Sequence, residues 1–280
     1  MMVVKQQEPI KKMEEPVKKV EANVQNVVEQ AQQEVVQSRE PWYRVSRRGR
    51  ILSIVYLVEF VLFTLLAVFV RIHPIIPVDI LITQEFQESQ MPWLHTFMVW
   101  VSYLGNAIYV YVPLILLTAL VFWFVRLRLE ALFIVGLSII SSLLNGLLKL
   151  IVNRPRPTAN LVEIFQHATG QSFPSGHVMS YVSFFGLLFS FGLILFRRNR
   201  WWHYALLVIP ALFVVLVGPS RIYLGDHWAS DVIGGYLFGG LLLGLALWLY
   251  LLLKERGILT PRIQKPGEHL VEPHPVHTTH

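Results

Sequence analysis

Long apolar blocks constrain this chain more than any other feature: Ile51 to Val70, Ala131 to Val152 and Val232 to Leu253. Each is long enough to cross a bilayer as a helix, which takes about 20 residues. A soluble core would be assembled from shorter, amphipathic runs. Charged residues make up 15% of the chain, against about a quarter in a soluble domain. The sequence therefore predicts an all-α, multi-pass membrane protein.

Six spans follow, at about 51–72, 100–125, 131–152, 177–196, 202–218 and 230–253. The apolar pattern of the second reaches back to Leu94 but is broken by Ser102, Gly105 and Asn106. Pro74 to Met91 is too short and too polar to cross, and Ile80, Leu81 and Phe86 would lay it on the membrane surface. Three regions result: a polar N-terminal tail at 1–45, a six-helix membrane domain at 46–256 and a C-terminal tail at 257–280. Both tails read as mostly disordered, the first from its charge and lack of aromatics up to about residue 40, the second from its prolines. Val24, Val28, Ala31 and Val35 leave room for one short amphipathic helix in the first. No signal-peptide pattern precedes the first apolar block, which is expected to serve as an uncleaved anchor.

Lys and Arg in short loops set orientation. Arg44, Arg47, Arg48 and Arg50 precede span one; Arg126 and Arg128 separate spans two and three. Arg197, Arg198 and Arg200 separate spans four and five; Lys254, Arg256, Arg262 and Lys265 follow span six. Six spans put all of these on one side, so both termini are expected to be cytoplasmic in a cell membrane. The formal net charge of +6 flanks apolar blocks, a placement that serves topology and anionic lipid and not nucleic acid. With no cysteine, disulfides, a thiolate nucleophile and a cysteine metal site are excluded.

Three polar stretches interrupt the spans: Lys149 to Pro157, Pro174 to His177, and Ser220 to Asp231. Six spans bring all three to the extracytoplasmic face. Ionisable groups at membrane depth are costly and mark functional sites. Lys149, Arg156 and Arg221 supply three cations suited to phosphate oxygens. Ser175 and Gly176 precede a helix, whose free N–H groups favour an anion. His227 and Asp231 stand four residues apart and share a helical face. A carboxylate on one imidazole nitrogen fixes the tautomer and strengthens the other nitrogen as a nucleophile. His177 suits a general acid at the leaving oxygen.

Plainer readings compete. His73, His95 and His203 read as interfacial residues. Asp226 reads as a loop acid or helix cap, with a site role as the alternative. Gly235 with Gly239, and Gly240 with Gly244, read as close helix packing. A metal site built from His177, His227, Asp226 and Asp231 is the rival chemistry; three nearby cations and too few acids speak against it.

The order Lys149-x6-Arg156-Pro157, Pro174-Ser-Gly-His177, Ser220-Arg221-x5-His227-x3-Asp231 resembles the type 2 phosphatidic acid phosphatase superfamily, over roughly residues 50–255. The resemblance implies a six-helix enzyme acting on lipid phosphates or diphosphates; the extracytoplasmic placement of the site makes undecaprenyl diphosphate the leading substrate. Phosphatidylglycerophosphate or phosphatidic acid are the alternatives. It implies that His227 attacks phosphorus, Asp231 orients it, and His177 protonates the leaving group. Lys149, Arg156, Ser175, Gly176 and Arg221 would hold the phosphate, with no metal or cofactor. A six-span transporter without hydrolysis and a phosphotransferase are the other classes.

Overall fold

The computed structural model describes residues 46–106, 108–195 and 201–259. The tail expected at 1–45, residues 260–280 of the tail expected at 257–280, and the loop holding Arg197, Arg198 and Arg200 lie outside the described residues. All regular structure among the described residues is helical. The helices are α1 (Ser46–Ile72), α2 (Pro77–Gln87), α3 (Pro92–Asn106) and α4 (Ile108–Phe124), followed by α5 (Arg128–Val152), α6 (Gly176–Leu195), α7 (Trp201–Tyr223) and α8 (Ala229–Glu255). Among them α1, α5, α6, α7 and α8 are long and apolar enough to cross a membrane. The pair α3 and α4, bent by 59°, makes a sixth when the two are taken as one broken span.

Two boundaries differ from the sequence pattern. Span two starts at Pro92, about eight residues early, and bends where Gly105 lies against the rings of Tyr181 and His177. Span five continues through Pro219 to Tyr223. In a bundle, neighbouring groups re-satisfy the backbone that a proline frees: the Tyr236 hydroxyl donates at 3.3 Å to Val215 O, the carbonyl four residues before Pro219.

The most enclosed span is α6, which buries Val178, Tyr181, Phe184, Leu187 and Phe191. A π-helical turn at Val182–Gly186 interrupts it. Outer α1 leaves large apolar side chains such as Leu57 and Leu65 exposed, the arrangement expected where lipid replaces water. The glycines of α8 divide between two neighbours: Gly235 and Gly239 lie against Val178 and Val182 of α6, Gly240 and Gly244 against Glu59 and Tyr56 of α1. Small residues let these backbones approach closely.

Helix α2 combines an outward apolar face with a buried polar one. Leu81 and Phe86 are exposed, while Asp79, Thr83 and Gln87, spaced four apart, are buried. Gln87 Nε2 donates to Glu163 O at 2.8 Å and to Tyr223 O at 2.9 Å, and its Oε1 accepts from Glu163 N–H at 3.1 Å. The surface helix expected from Ile80, Leu81 and Phe86 is thus anchored in the protein by its polar side.

Candidate active site

The three polar stretches converge at one end of the bundle. Helix α5 ends on Asn153, whose left-handed backbone (φ 52°) closes the last turn by donating to Lys149 O at 2.9 Å. The chain then returns towards α6, with Ser172 N donating to Arg154 O at 2.8 Å and Ser175 N to Asp231 O at 3.0 Å. Gly225 (φ +72°) turns the chain between α7 and α8 and delivers His227 to the same place.

His227 is buried between charges of opposite sign. Its Nδ1 lies 3.5 Å from Asp231 Oδ2. The Ser172 hydroxyl donates to that same oxygen and lies 3.4 Å from Nδ1. Its Nε2 lies 3.5 Å from a terminal nitrogen of Arg156. Guanidinium only donates, so the partners assign the proton to Nδ1 and a lone pair to Nε2. Burial pushes the imidazole well below the ordinary histidine range, and Arg156, Lys149 and Arg221 push it further. It is therefore neutral at pH 7.

Asp231 is fully buried and richly donated to. Oδ1 accepts from Arg154 at 2.7 Å; Oδ2 accepts from Trp228 N–H at 2.9 Å and from Ser172. Lys149 Nζ donates to Gln171 O at 2.9 Å, and Arg156 to Asp226 O at 2.7 Å and Gly170 O at 3.2 Å. Arg221 is buried against the Ser102 hydroxyl, the Asp226 carboxylate and Gln166 Oε1. Asp226 is thus neither a free loop acid nor a cap: the residue preceding the first turn of α8 is Trp228, and its N–H is taken by Asp231.

His177 lies within electrostatic range of Arg221, His227, Lys149 and Arg156. Its Nε2 and the Ser175 hydroxyl are buried without a hydrogen-bond partner among the described residues. Buried polar atoms are nearly always satisfied, so this pair, beside three cations, has hydrogen-bonding capacity left for a ligand or a water. At Gly176, an added Cβ would stand 2.8 Å from Asn145 Oδ1, while Asn145 Nδ2 donates to Pro174 O at 3.1 Å. Residue 176 has no room for a side chain unless Asn145 moves.

All eight residues singled out in the sequence thus gather in one place. The rival metal set does not converge: among the described residues no three His, Asp or Glu side chains face a common point. Asp226 and Asp231 are engaged by Arg221 and Arg154 instead. The sequence pattern gave Arg154, Asp79 and Ser172 no individual role. Arg154 is 1% exposed and bridges Asp231 and Asp79. A carboxylate inside the apolar Pro77–Thr83 run was the signal available for Asp79.

Residues 129–255 match the PAP2 superfamily. The chain is 31% identical over 187 residues to phosphatidylglycerophosphatase B of Bacillus subtilis, covering 65% of this chain and 88% of that protein. It is 30% identical over 192 residues to an undecaprenyl-diphosphatase of Sulfolobus acidocaldarius, covering 66% and 85%. The crystal structure of a transmembrane PAP2 type phosphatidylglycerolphosphate phosphatase from Bacillus subtilis superposes with a TM-score of 0.63 at 27% identity, over 75% of this chain and 98% of that one. Sequence, fold and the converging motif agree: the chain belongs to the PAP2 superfamily, as a membrane lipid phosphatase.

Proposed function

We propose that the protein hydrolyses a lipid diphosphate, with undecaprenyl diphosphate as substrate, through a phosphohistidine on His227 and without a metal. The observation that carries this is the neutral His227, anchored at Nδ1 by Asp231 and presenting Nε2 beside Arg156. In the first step Nε2 attacks the terminal phosphorus, the N–P bond forms and the bond from that phosphorus to the bridging oxygen breaks, while His177, charged once the anionic substrate offsets the cations around it, gives its proton to that oxygen of the departing lipid monophosphate. In the second, His177 takes a proton from water, the water oxygen bonds to phosphorus and the N–P bond breaks. Lys149, Arg156 and Arg221, with Ser175 and the backbone at Gly176, stabilise the charge on the phosphoryl oxygens. The distribution of arginines favours an extracytoplasmic site, with both termini in the cytoplasm.

Phosphatidylglycerophosphate is the second reading, favoured by the identity to the Bacillus subtilis enzyme. Purified protein offered undecaprenyl diphosphate, phosphatidylglycerophosphate and phosphatidic acid side by side, with and without EDTA, separates them. Fastest phosphate release from undecaprenyl diphosphate, unaffected by EDTA and abolished in His227→Ala, is the expected result. A folded His227→Ala variant with substantial turnover refutes the nucleophile. Loss of activity in EDTA restores the metal chemistry, and binding without phosphate release restores the transporter.

A further inference from the structure

A buried charge network extends from the site to a helix outside the family-matched segment. Arg154 donates to Asp231 Oδ1 at 2.7 Å and Ser230 Oγ at 2.6 Å through one terminal nitrogen. It donates to Asp79 Oδ2 at 2.7 Å through the other, and to Pro74 O at 2.9 Å through Nε. The guanidinium stands 5.9 Å from the Trp228 ring centroid. Asp79 in turn accepts from Ser230 N–H at 2.9 Å and from its hydroxyl at 2.5 Å. Four of the five N–H donors of Arg154 are thereby placed, and a lysine's point charge could not span both carboxylates.

We propose that Asp79 and Arg154 are positioning residues for the reaction: Asp79 holds one arm of the guanidinium so that the other fixes the Asp231 carboxylate without cancelling its charge. This rests on the phosphohistidine reading. Asp231 and Arg154 alone would form a neutral pair. Adding Asp79 restores a net charge of −1 to the group behind His227. Attack on phosphorus turns the imidazole cationic, among cations from Lys149, Arg156 and Arg221. A net negative partner fixed in advance stabilises that change, and in a dry site the effect is larger than in water. Docking of α2 therefore completes the site, although Asp79 sits about 50 residues before the matched region.

A purely structural staple makes a different forecast. Asparagine is isosteric with Asp79 and still accepts from Ser230 N–H, so a staple would tolerate Asp79→Asn. Turnover is measured with whichever of the three lipids wild-type protein hydrolyses fastest, per vanadate-binding site, so that misfolding lowers the number of sites and not kcat. Asp79→Asn and Arg154→Lys are expected to lower kcat about 10- to 100-fold, as loss of outer-shell partners does elsewhere. KM and vanadate affinity should stay within about 2-fold, because the interaction matters in the transition state. Asp79→Glu, which keeps the charge, should lie closer to wild type than Asp79→Asn. On an Asp231→Asn background, Asp79→Asn should cost nothing further, because both act through one group. Wild-type kcat in Asp79→Asn, equal losses in Asp79→Glu and Asp79→Asn, or a full additional loss on the Asp231→Asn background each overturn the inference. Turnover surviving in His227→Ala refutes the phosphohistidine reading instead. An inactive His227→Ala beside a fully active Asp79→Asn refutes the positioning role alone.

Discussion

Replacing Arg154 by Met removes the cation shared by two buried carboxylates while keeping an unbranched side chain of similar reach. The two ion pairs are 2.7 Å each, and the side chains of Arg154, Asp79 and Asp231 are 0%, 5% and 0% exposed. Breaking a buried pair from one side costs about 3–5 kcal/mol, because the remaining charge is left uncompensated. In a domain of this size 1 kcal/mol corresponds to about 2–4 °C in Tm, so Arg154→Met should lower the apparent Tm by about 6–20 °C. The eight tryptophans allow thermal scanning of detergent-solubilised protein by intrinsic fluorescence. Removing Asp79's charge as well should restore part of the loss, since Arg154→Met/Asp79→Asn leaves one buried carboxylate without its cation where Arg154→Met leaves two. A Tm drop below about 2 °C in the single variant contradicts the magnitude assigned to a buried pair. A double variant less stable than the single one contradicts the charge argument itself.

Three further outcomes are expected. His227 is held well below the ordinary histidine range by burial and neighbouring cations, so between its folded value and about 6.5 the unfolded chain binds a proton that the folded one does not. Stability then rises with pH across that window, so Tm should fall on acidification below about pH 6.5. The fall should be shallower in His227→Gln, and identical slopes would refute the assignment. At Gly225, an added Cβ would run into Glu163 O at a φ of +72°, so Gly225→Ala must part the Glu163 segment from the loop that carries Asp226 and His227. Its kcat should drop at least about tenfold, and an unchanged rate would show that the loop accommodates the methyl group. Cysteines placed singly at Arg126 and Asn160, both exposed in a chain without native thiols, should label from opposite sides of the membrane. Labelling from one side would break the proposed orientation.

The sequence made the membrane class, the five unbroken spans and the polar residues that cluster at one end of the bundle legible. Apolar length alone requires helices, because a backbone in lipid must satisfy its own hydrogen bonds. Lys149, Arg156, Ser175, Gly176, His177, Arg221, His227 and Asp231 were identifiable because costly polar groups interrupted those helices. Span two was harder to bound, since Ser102 and Gly105 look like a span end until the packing of Tyr181 and His177 against the bend is seen. Asp226 looked like a loop acid because the turn that folds it back onto Arg221, five residues earlier, and buries the pair is not visible in the residue pattern.

Local chemistry is written in short range: His227 and Asp231 stand four residues apart and meet, yet not on one helical face, because α8 starts at Ala229 and His227 is held against Asp231 by the turn before it. Partnership across the bundle is not. Arg154 is 75 residues from Asp79 and 77 from Asp231, and nothing but the packing of α2 against α7 and α8, beside the segment that follows α5, decides that they meet. The same packing fixes how much water reaches His227, and hence its protonation. Sequence determined which groups are available; tertiary structure decided which charges lose their water together, and buried charges are tolerated only beside partners that replace it.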